Sequence, residues 1–201
     1  MDRIAEIRRT TKETDICIKL NLDGSGEIRV DYPIGFMQHL LTTFARHGLF
    51  DLQVQASGDL PVDQHHLVED TGIVLGRCFT QALGEKRGIR RTGSCLIPMD
   101  ETLARAAVDL SGRPFLVFDA QLSGIPLVSG SYSFQTDTVE DFWQGFVQGA
   151  SAAVHLDILR GRSDHHKIEA LFKAAARSLQ DAVSRDSRSP DLVPSTKGVL
   201  V

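Results

Sequence analysis

Alternation of apolar and polar residues marks the first element of the chain. Residues 14–22, TDICIKLNL, place an apolar side chain at every second position, which predicts a strand with one buried face. The turn-forming residues DGSG at 23–26 follow, and EIRVDY at 27–32 comes next. This succession predicts a β-hairpin.

The next apolar positions recur with helical spacing. Residues 36–48 keep this period up to Gly48, a residue type that often ends helices, and residues 49–56 return to the strand pattern. From Asp63 onwards the apolar positions predict a second helix that ends near Leu83. The predicted order is strands, helix, strand, helix.

The same order repeats in the second half of the chain. Residues 100–114 are similar to residues 12–26, since both segments contain Glu-Thr, an alternating strand and a glycine turn. A predicted helix at 139–153, a strand AVHLDIL and a helix DHHKIEALFKAAARSLQDAV follow. Such a repeat indicates an internally duplicated α+β fold. We expect one compact domain made of two half-repeats and a C-terminal tail, at 1–88, 89–187 and 188–201.

Composition excludes several classes of protein. The 201 residues are 42% hydrophobic and 24% charged, which is typical of a soluble globular protein with a substantial core. The formal net charge of −4 and the lack of long basic runs argue against a nucleic-acid partner. Neither a secretory signal nor a membrane span is expected. The three cysteines lack C-x-x-C spacing, so we expect a reduced, cytoplasmic protein.

Two pairs of histidines carry the candidate chemistry. Each pair begins an H-H-x-x-E segment at the head of a predicted helix, at 65–69 and at 165–169. Residues four apart on a helix share a face, whereas neighbours diverge by about 100°. The first histidine and the glutamate of each segment can therefore hold one ion, while the second histidine points elsewhere. We expect two metal sites, each completed by the second histidine of the other half.

These ligands restrict the metal without identifying it. Imidazole and carboxylate groups without thiolate suit manganese, iron, cobalt or catalytic zinc. A single such segment would equally suit helix capping or solvated polar residues. Its duplication favours the metal sites.

Motifs along nearly the whole chain resemble the imidazoleglycerol-phosphate dehydratase family. They are RRTTKET (8–14), GFMQHLL (35–41), ARHGLFDL (45–52), GDLPVDQHHLVEDTG (58–72), KRGIRR (86–91), PMDETLARAAVDLSGRP (98–114), SDHHKIEALFKA (163–174) and PSTKG (194–198). The resemblance implies that two sheets sandwich a layer of helices. It also implies a hydro-lyase of histidine biosynthesis that converts imidazoleglycerol phosphate to imidazole-acetol phosphate.

The family pattern further implies two manganese(II) ions per active site. It assigns one ion to His39, His66, His165 and Glu169. It assigns the other ion to His65, Glu69, His166 and Asp141. Metals on both ring nitrogens would stabilise the substrate as imidazolate, which eases loss of the hydroxyl and of the neighbouring proton. Active sites in the family form between neighbours, so a homo-oligomer of 24 subunits is expected.

Four positions depart from the family pattern. Position 141 is usually histidine, whereas this chain has aspartate, an oxygen donor that still suits manganese. Gln38 and Leu40 stand where the family has aspartate and methionine on either side of His39, and Gln64 replaces an acid before the first histidine pair. A carboxylate beside a metal-binding histidine often orients it, so both glutamines are expected to weaken that support.

The resemblance also assigns contacts to the phosphorylated substrate. Glu13 is the candidate for proton transfer or for a contact to a substrate hydroxyl, whereas the sequence alone favours an exposed strand-edge residue. His47 is either a substrate contact or a residue favoured at a helix C-terminus, and His155 is interpreted as a strand residue. The phosphate is assigned to Arg91, Arg113, Lys173, Ser195 and Lys197, which are otherwise solvent-facing or tail residues.

Two other functions stay open on the sequence alone. Metal-dependent phosphoesterases also carry a D-H-H motif, but they need further aspartate-rich motifs that this chain lacks. A non-catalytic metal-binding assembly protein, derived from the dehydratase, would explain the altered positions 38, 64 and 141.

Overall fold

A computed structural model describes residues 2–129 and 132–200 of the chain. The first half consists of β1 (Ile4–Thr10), β2 (Thr14–Asn21), β3 (Ile28–Asp31), α1 (Gly35–Gly48), β4 (Asp51–Gly58) and α2 (His65–Leu83). The second half consists of β5 (Thr92–Met99), β6 (Thr102–Asp109), β7 (Phe115–Asp119), β8 (Leu127–Ser129), β9 (Tyr132–Phe134), α3 (Thr138–Ala150), β10 (Ala153–Arg160) and α4 (Asp164–Val183).

The two halves build sheets with the same strand order. The first sheet runs β1-β2-β4-β3 and the second runs β5-β6-β10-β7. In each sheet the last pair is parallel and the other pairs are antiparallel. The small hairpin β8-β9 is an addition to the second half. The matching order confirms the predicted duplication.

The helices pack between the two sheets. Helix α2 packs on β1, β2 and β4, and α4 packs on β5, β6 and β10. The layers meet because α2 also packs against α3 and α4 against α1. Large buried side chains such as Phe44, Phe79, Trp143 and Phe172 join these layers in one core. The predicted α+β sandwich is therefore confirmed.

Local chemistry explains where the helices begin and end. The Ser163 hydroxyl caps α4 by accepting a hydrogen bond from the backbone N–H of His166, and the Asp137 carboxylate caps α3. Helix α1 ends at Gly48 because Leu49 adopts a left-handed conformation, with a φ of 56°. In the described part of the chain, no helix has both the length and the apolarity that crossing a bilayer requires.

The predicted pairing of β2 with β3 is wrong. Strand β2 pairs with β1 and β4 on its two sides, and β3 lies parallel to β4. The connecting loop is held by Asp51, whose carboxylate accepts hydrogen bonds from the backbone N–H groups of Ser25, Gly26 and Glu27 at 2.8, 3.1 and 3.0 Å. This loop carries the chain past the start of β4, so β3 forms beside β4.

Glycines bring the backbones of α2 and α3 into direct contact. The contact uses two glycines from each helix, each pair one turn apart: Gly72, Gly76, Gly145 and Gly149. A Cβ at position 72 would overlap the carbonyl oxygen of Phe142, and a Cβ at position 145 would overlap that of Glu69. Any larger residue would therefore push the two helices apart.

Replacing Gly145 with alanine tests this contact. The added methyl group has no room against the Glu69 carbonyl, so we expect the free energy of unfolding to fall by about 1–3 kcal/mol. Denaturant unfolding followed by circular dichroism measures the change. Gln144→Ala, at the exposed neighbouring position of α3, is the control and should change stability by less than about 0.5 kcal/mol. Equal stability of both variants would contradict the close packing.

Candidate active site

Helices α1 and α4 bring together His39, His165 and Glu169, which we name the first set. The Nε2 atoms of His39 and His165 lie 2.9 and 3.3 Å from the same carboxylate oxygen, Oε2 of Glu169. All three donor atoms lie within 4.8 Å of one another. Because metal–ligand bonds measure about 2.0–2.2 Å, one ion can reach all three.

The first set is open on one side. The side chains of His39 and His165 are 47% and 48% exposed, whereas Glu169 is buried beneath them. The ring of Phe36 packs against both imidazoles, with its centroid 4.9 Å from that of His165 and 6.1 Å from that of His39. A ligand or a further side chain can therefore approach the imidazoles from solvent.

Helices α2 and α3 form a related cluster, the second set, of His65, Glu69 and Asp141. Nδ1 of His65 lies 3.0 Å from Oδ2 of Asp141, and Nε2 lies 3.8 Å from Oε2 of Glu69. The duplication relates α2 to α4 and α3 to α1, so Asp141 occupies the place that His39 has in the first set. Three of the four predicted ligands are therefore neighbours in each set, but only in the first set do they face one point, because Asp141 and Glu69 face different nitrogens of the His65 ring.

The remaining two histidines lie outside both sets. Nδ1 of His66 faces Oδ2 of Asp59 at 3.0 Å, and Nδ1 of His166 faces Oε2 of Glu101 at 2.8 Å. Their rings stand at 74° and 86° to the rings of the preceding histidines. Each of them contacts a different carboxylate from the histidine before it, as expected of neighbouring residues that diverge on a helix.

The two glutamines at the altered positions make structural hydrogen bonds. The Gln38 amide donates to the carbonyl of Val30 at 2.9 Å. The Gln64 amide donates to the carbonyl of Ser133, and its oxygen accepts from the backbone N–H of Gln135. Gln64 thereby ties the start of α2 to β9. Neither contact involves a histidine, so these side chains anchor the backbone around the sets.

Charges around the first set favour the ionised carboxylate. Burial raises the pKa of Glu169, but hydrogen bonds from Lys173 and His39 outweigh it and lower the pKa to about 2. Nζ of Lys173 lies 2.7 Å from Oε1 of Glu169. Burial and the nearby cations of Lys173 and Arg177 lower the pKa of His47. His47 of α1 therefore lies near the charged residues Lys173, Arg177 and Glu169 of α4.

Carboxylates also form hydrogen bonds with the outlying histidines. The hydrogen bond that His66 donates to the Asp59 carboxylate raises the pKa of His66, and the charges of Glu13 and Asp63 raise it further. The pKa of Glu101 lies well below its usual range, because it accepts hydrogen bonds from Ser163 and His166.

Only some of the residues predicted to contact the phosphate lie close together. The Arg91 guanidinium donates to both carboxylate oxygens of Asp109, at 2.7 and 2.9 Å, and to the carbonyl of Pro194 at 2.9 Å. This last bond brings Arg91 to the tail that carries half-buried Ser195 and exposed Lys197. Arg113 lies exposed after β6, and Lys173 is bound to Glu169. Among the described residues, no hydrogen bond or ion pair joins Arg113 or Lys173 to the tail.

Glu13 and His155 lie where the sequence places them. Glu13 is exposed in the turn between β1 and β2, and its backbone carbonyl accepts a hydrogen bond from Asp59 at 3.0 Å. His155 is an exposed residue of β10, paired with Ala107 and Val117. Asp59 and Glu101 were not predicted as site residues. The repeated Glu-Thr at 13–14 and 101–102 was the signal for Glu101.

The fold and its two clusters define a duplicated α+β enzyme with histidine and carboxylate side chains at equivalent helix pairs. The chain belongs to the imidazoleglycerol-phosphate dehydratase family, whose family model matches residues 33–179. The resemblance inferred from the motifs is therefore confirmed, and with it the hydro-lyase class.

Individual relatives cover nearly the whole chain. Imidazoleglycerol-phosphate dehydratase of Lacticaseibacillus casei is 54% identical over 198 residues, which is 98% of this chain and 100% of the relative. The Acetivibrio thermocellus enzyme is 50% identical over 200 residues, 100% of both chains. The crystal structure of the Staphylococcus aureus enzyme matches with a TM-score of 0.79 at 38% identity, over 91% of this chain and 99% of that one. The Pyrococcus furiosus structure, in complex with (S)-C348, has a TM-score of 0.81 at 32% identity, over 96% and 100%.

Removing the cation beside Glu169 should alter the pH dependence of stability. A carboxyl group whose folded pKa is lowered stabilises the fold above its unfolded pKa, near 4.5, and loses that effect as the pH falls towards 2. Lys173→Met raises the folded pKa. We therefore expect metal-free Lys173→Met to be less stable than wild type at pH 7, with the difference shrinking between pH 4.5 and 2.

Urea unfolding at several pH values measures this difference. Lys19→Met, at an exposed position of β2, is the control and should show no such trend. A Lys173→Met deficit that is independent of pH would show that Lys173 stabilises the protein by packing alone.

Proposed function

We propose that the chain converts imidazoleglycerol phosphate to imidazole-acetol phosphate with two manganese(II) ions per active site. The observation that carries the metal dependence is the convergence of His39, His165 and Glu169 on one point. Two imidazoles and one carboxylate without thiolate form a donor set that fits manganese. The second set offers one imidazole and two carboxylates, which are donor types that also suit manganese.

Bound ions would act as Lewis acids on the two nitrogens of the substrate imidazole. The residues of the chain then transfer a proton and bind the phosphate group. Glu13 removes the proton from the carbon next to the one that loses hydroxide, and the resulting enol gains a proton at the carbon that lost hydroxide to give the ketone. Its exposed carboxylate suits this role because, within the described residues, it has no hydrogen-bond or ion-pair partner.

The phosphate group requires cations. We assign it to Arg91, Arg113, Lys173, Ser195 and Lys197. The bond from Arg91 to Pro194 supports this assignment, because it couples an arginine to the tail that carries Ser195 and Lys197. Asp109 orients the Arg91 guanidinium through two hydrogen bonds, which leaves its remaining N–H groups for phosphate oxygens.

We further propose that each metal site is completed by another subunit in a 24-subunit assembly. Each set holds three of its four ligands, and His66 and His166 lie outside the sets of their own chain. Leu96 and Phe115, on the two edge strands of the second sheet, are 56% and 62% exposed. Burial of these side chains in an assembly would be favourable. The proposed location is the cytoplasm, with no nucleic-acid or membrane partner.

Chelation tests the metal dependence and the assembly together. Protein treated with EDTA and desalted should give no imidazole-acetol phosphate and should sediment as a smaller species. Manganese(II) should restore both the product and the large assembly. Dehydration that is independent of metal would contradict the two-metal site, and unchanged sedimentation would contradict metal-dependent assembly.

The same assay separates the alternative functions. Release of inorganic phosphate without dehydration would favour a phosphoesterase, although family membership supports the dehydratase. Metal binding without either product would favour a non-catalytic assembly protein.

Asp141 decides whether the second set binds an ion. Asp141→Ala removes the carboxylate that faces His65 at 3.0 Å, so we expect about one bound manganese per subunit to be lost. Turnover should fall by about 100-fold or more, with a smaller change in substrate affinity. Elemental analysis and steady-state kinetics measure both effects.

Two further variants sharpen this test. Asp141→His should keep both ions and restore or raise turnover, because histidine is the usual residue of the family at this position. Glu140→Ala, an exposed neighbour on α3, is the control. If Asp141→Ala kept its metal content and its turnover, Asp141 would not be a ligand.

A further inference from the structure

Two carboxylates that belong to neither ligand set each face one of the outlying histidines. Oδ2 of Asp59 lies 3.0 Å from Nδ1 of His66, and Oε2 of Glu101 lies 2.8 Å from Nδ1 of His166. Asp59 lies between β4 and α2, and Glu101 lies in the turn between β5 and β6. In both halves a carboxylate contacts Nδ1 of the histidine, but the carboxylate comes from a different part of the fold in each half.

The geometry fixes which ring nitrogen carries the hydrogen. An ionised carboxylate can only accept, so Nδ1 must donate to it. In a neutral imidazole, Nε2 then keeps its lone pair. The side chains of His66 and His166 are 35% and 30% exposed, so each ring remains accessible from outside the chain.

We propose that Asp59 and Glu101 are positioning residues that hold His66 and His166 ready to bind manganese through Nε2. This inference rests on the proposed function, because it requires that both histidines complete metal sites. Gln38 and Gln64 hydrogen-bond to the backbone and not to a histidine. In this chain, Asp59 and Glu101 are therefore the residues that orient metal-binding histidines.

The two carboxylates are anchored differently. Oε1 of Glu101 accepts hydrogen bonds from the backbone N–H groups of Arg162 and Ser163, at 3.1 and 2.8 Å. This leaves only Oε2 for His166. Oδ1 of Asp59 is buried and has no hydrogen-bond partner in the described part of the chain. Glu101 therefore has a fixed orientation, whereas either oxygen of Asp59 can serve His66.

Duplication explains why Glu13 stays free. Glu13 and Glu101 hold equivalent positions, since each begins the Glu-Thr segment that leads into β2 or β6. In the second half this glutamate orients the histidine. In the first half Asp59 makes that contact, and the Glu13 carboxylate is available for the substrate.

The difference in anchoring predicts unequal effects of two isosteric substitutions. In Glu101→Gln the amide oxygen stays with the backbone N–H groups, so the amide nitrogen faces Nδ1 of His166. Two donors then oppose each other, which favours the other tautomer and places the hydrogen on Nε2. In Asp59→Asn the amide can rotate so that its oxygen still accepts from His66.

Manganese(II) binding to the full chain tests the proposal. Free manganese(II) measured by electron paramagnetic resonance gives the affinity. Glu101→Gln should weaken the binding of one ion by about 10- to 100-fold, the usual effect of losing such a partner, and Asp59→Ala should do the same. Asp59→Asn should stay within about threefold of wild type, and so should Asp23→Asn, a control that removes the negative charge of a carboxylate that is ion-paired with Arg3.

Three results would overturn the proposal. The first is wild-type manganese affinity in Glu101→Gln and Asp59→Ala. The second is equal weakening by Glu101→Gln and Asp59→Asn. The third is a loss of affinity in Glu101→Gln that accompanies a matching drop in the melting temperature of the metal-free protein, which would indicate a purely structural role. A wild-type protein that binds no manganese at all would instead overturn the proposed function.

Discussion

Backbone contact between α2 and α3 is the constraint on which the second set depends. The Glu69 carbonyl lies directly against Gly145, one turn after Asp141 on α3. The same contact therefore fixes the separation of the helix that carries His65 and Glu69 from the helix that carries Asp141. Glycine is required here because a methyl group would overlap the Glu69 carbonyl and push the two helices apart.

The equivalent pair of helices, α1 and α4, brings its ligands together by other means. Helices α1 and α4 are packed by aromatic side chains, with Phe36 between Phe134, 5.1 Å away, and His165. The β8-β9 hairpin supplies Phe134 and has no counterpart in the first half. The duplicated halves have thus kept the positions of the ligands while changing what holds the helices together.

Much of this arrangement could be predicted from the sequence, and the failures have physical reasons. Helical periodicity located α1, α2 and α4, and the i, i+4 spacing put His165 beside Glu169. The pairing of β3 could not be predicted, because it depends on Asp51, a residue beyond the next helix, holding the loop. The roles of Asp59 and Gln64 also arise from contacts between elements, which local patterns do not record.

The two sets differ in a way that bears on the choice of metal. The first has two imidazoles and one carboxylate, and Lys173 offsets the charge of that carboxylate at 2.7 Å. The second has one imidazole and two carboxylates, with Asp141 in the place of His39. An extra hard oxygen donor and an extra negative charge favour manganese over ions that prefer nitrogen ligands. In the proposed two-metal site, Asp141 would therefore restrict the second set to ions that prefer oxygen ligands, whereas the first set, with two imidazoles, would accept a wider range of ions.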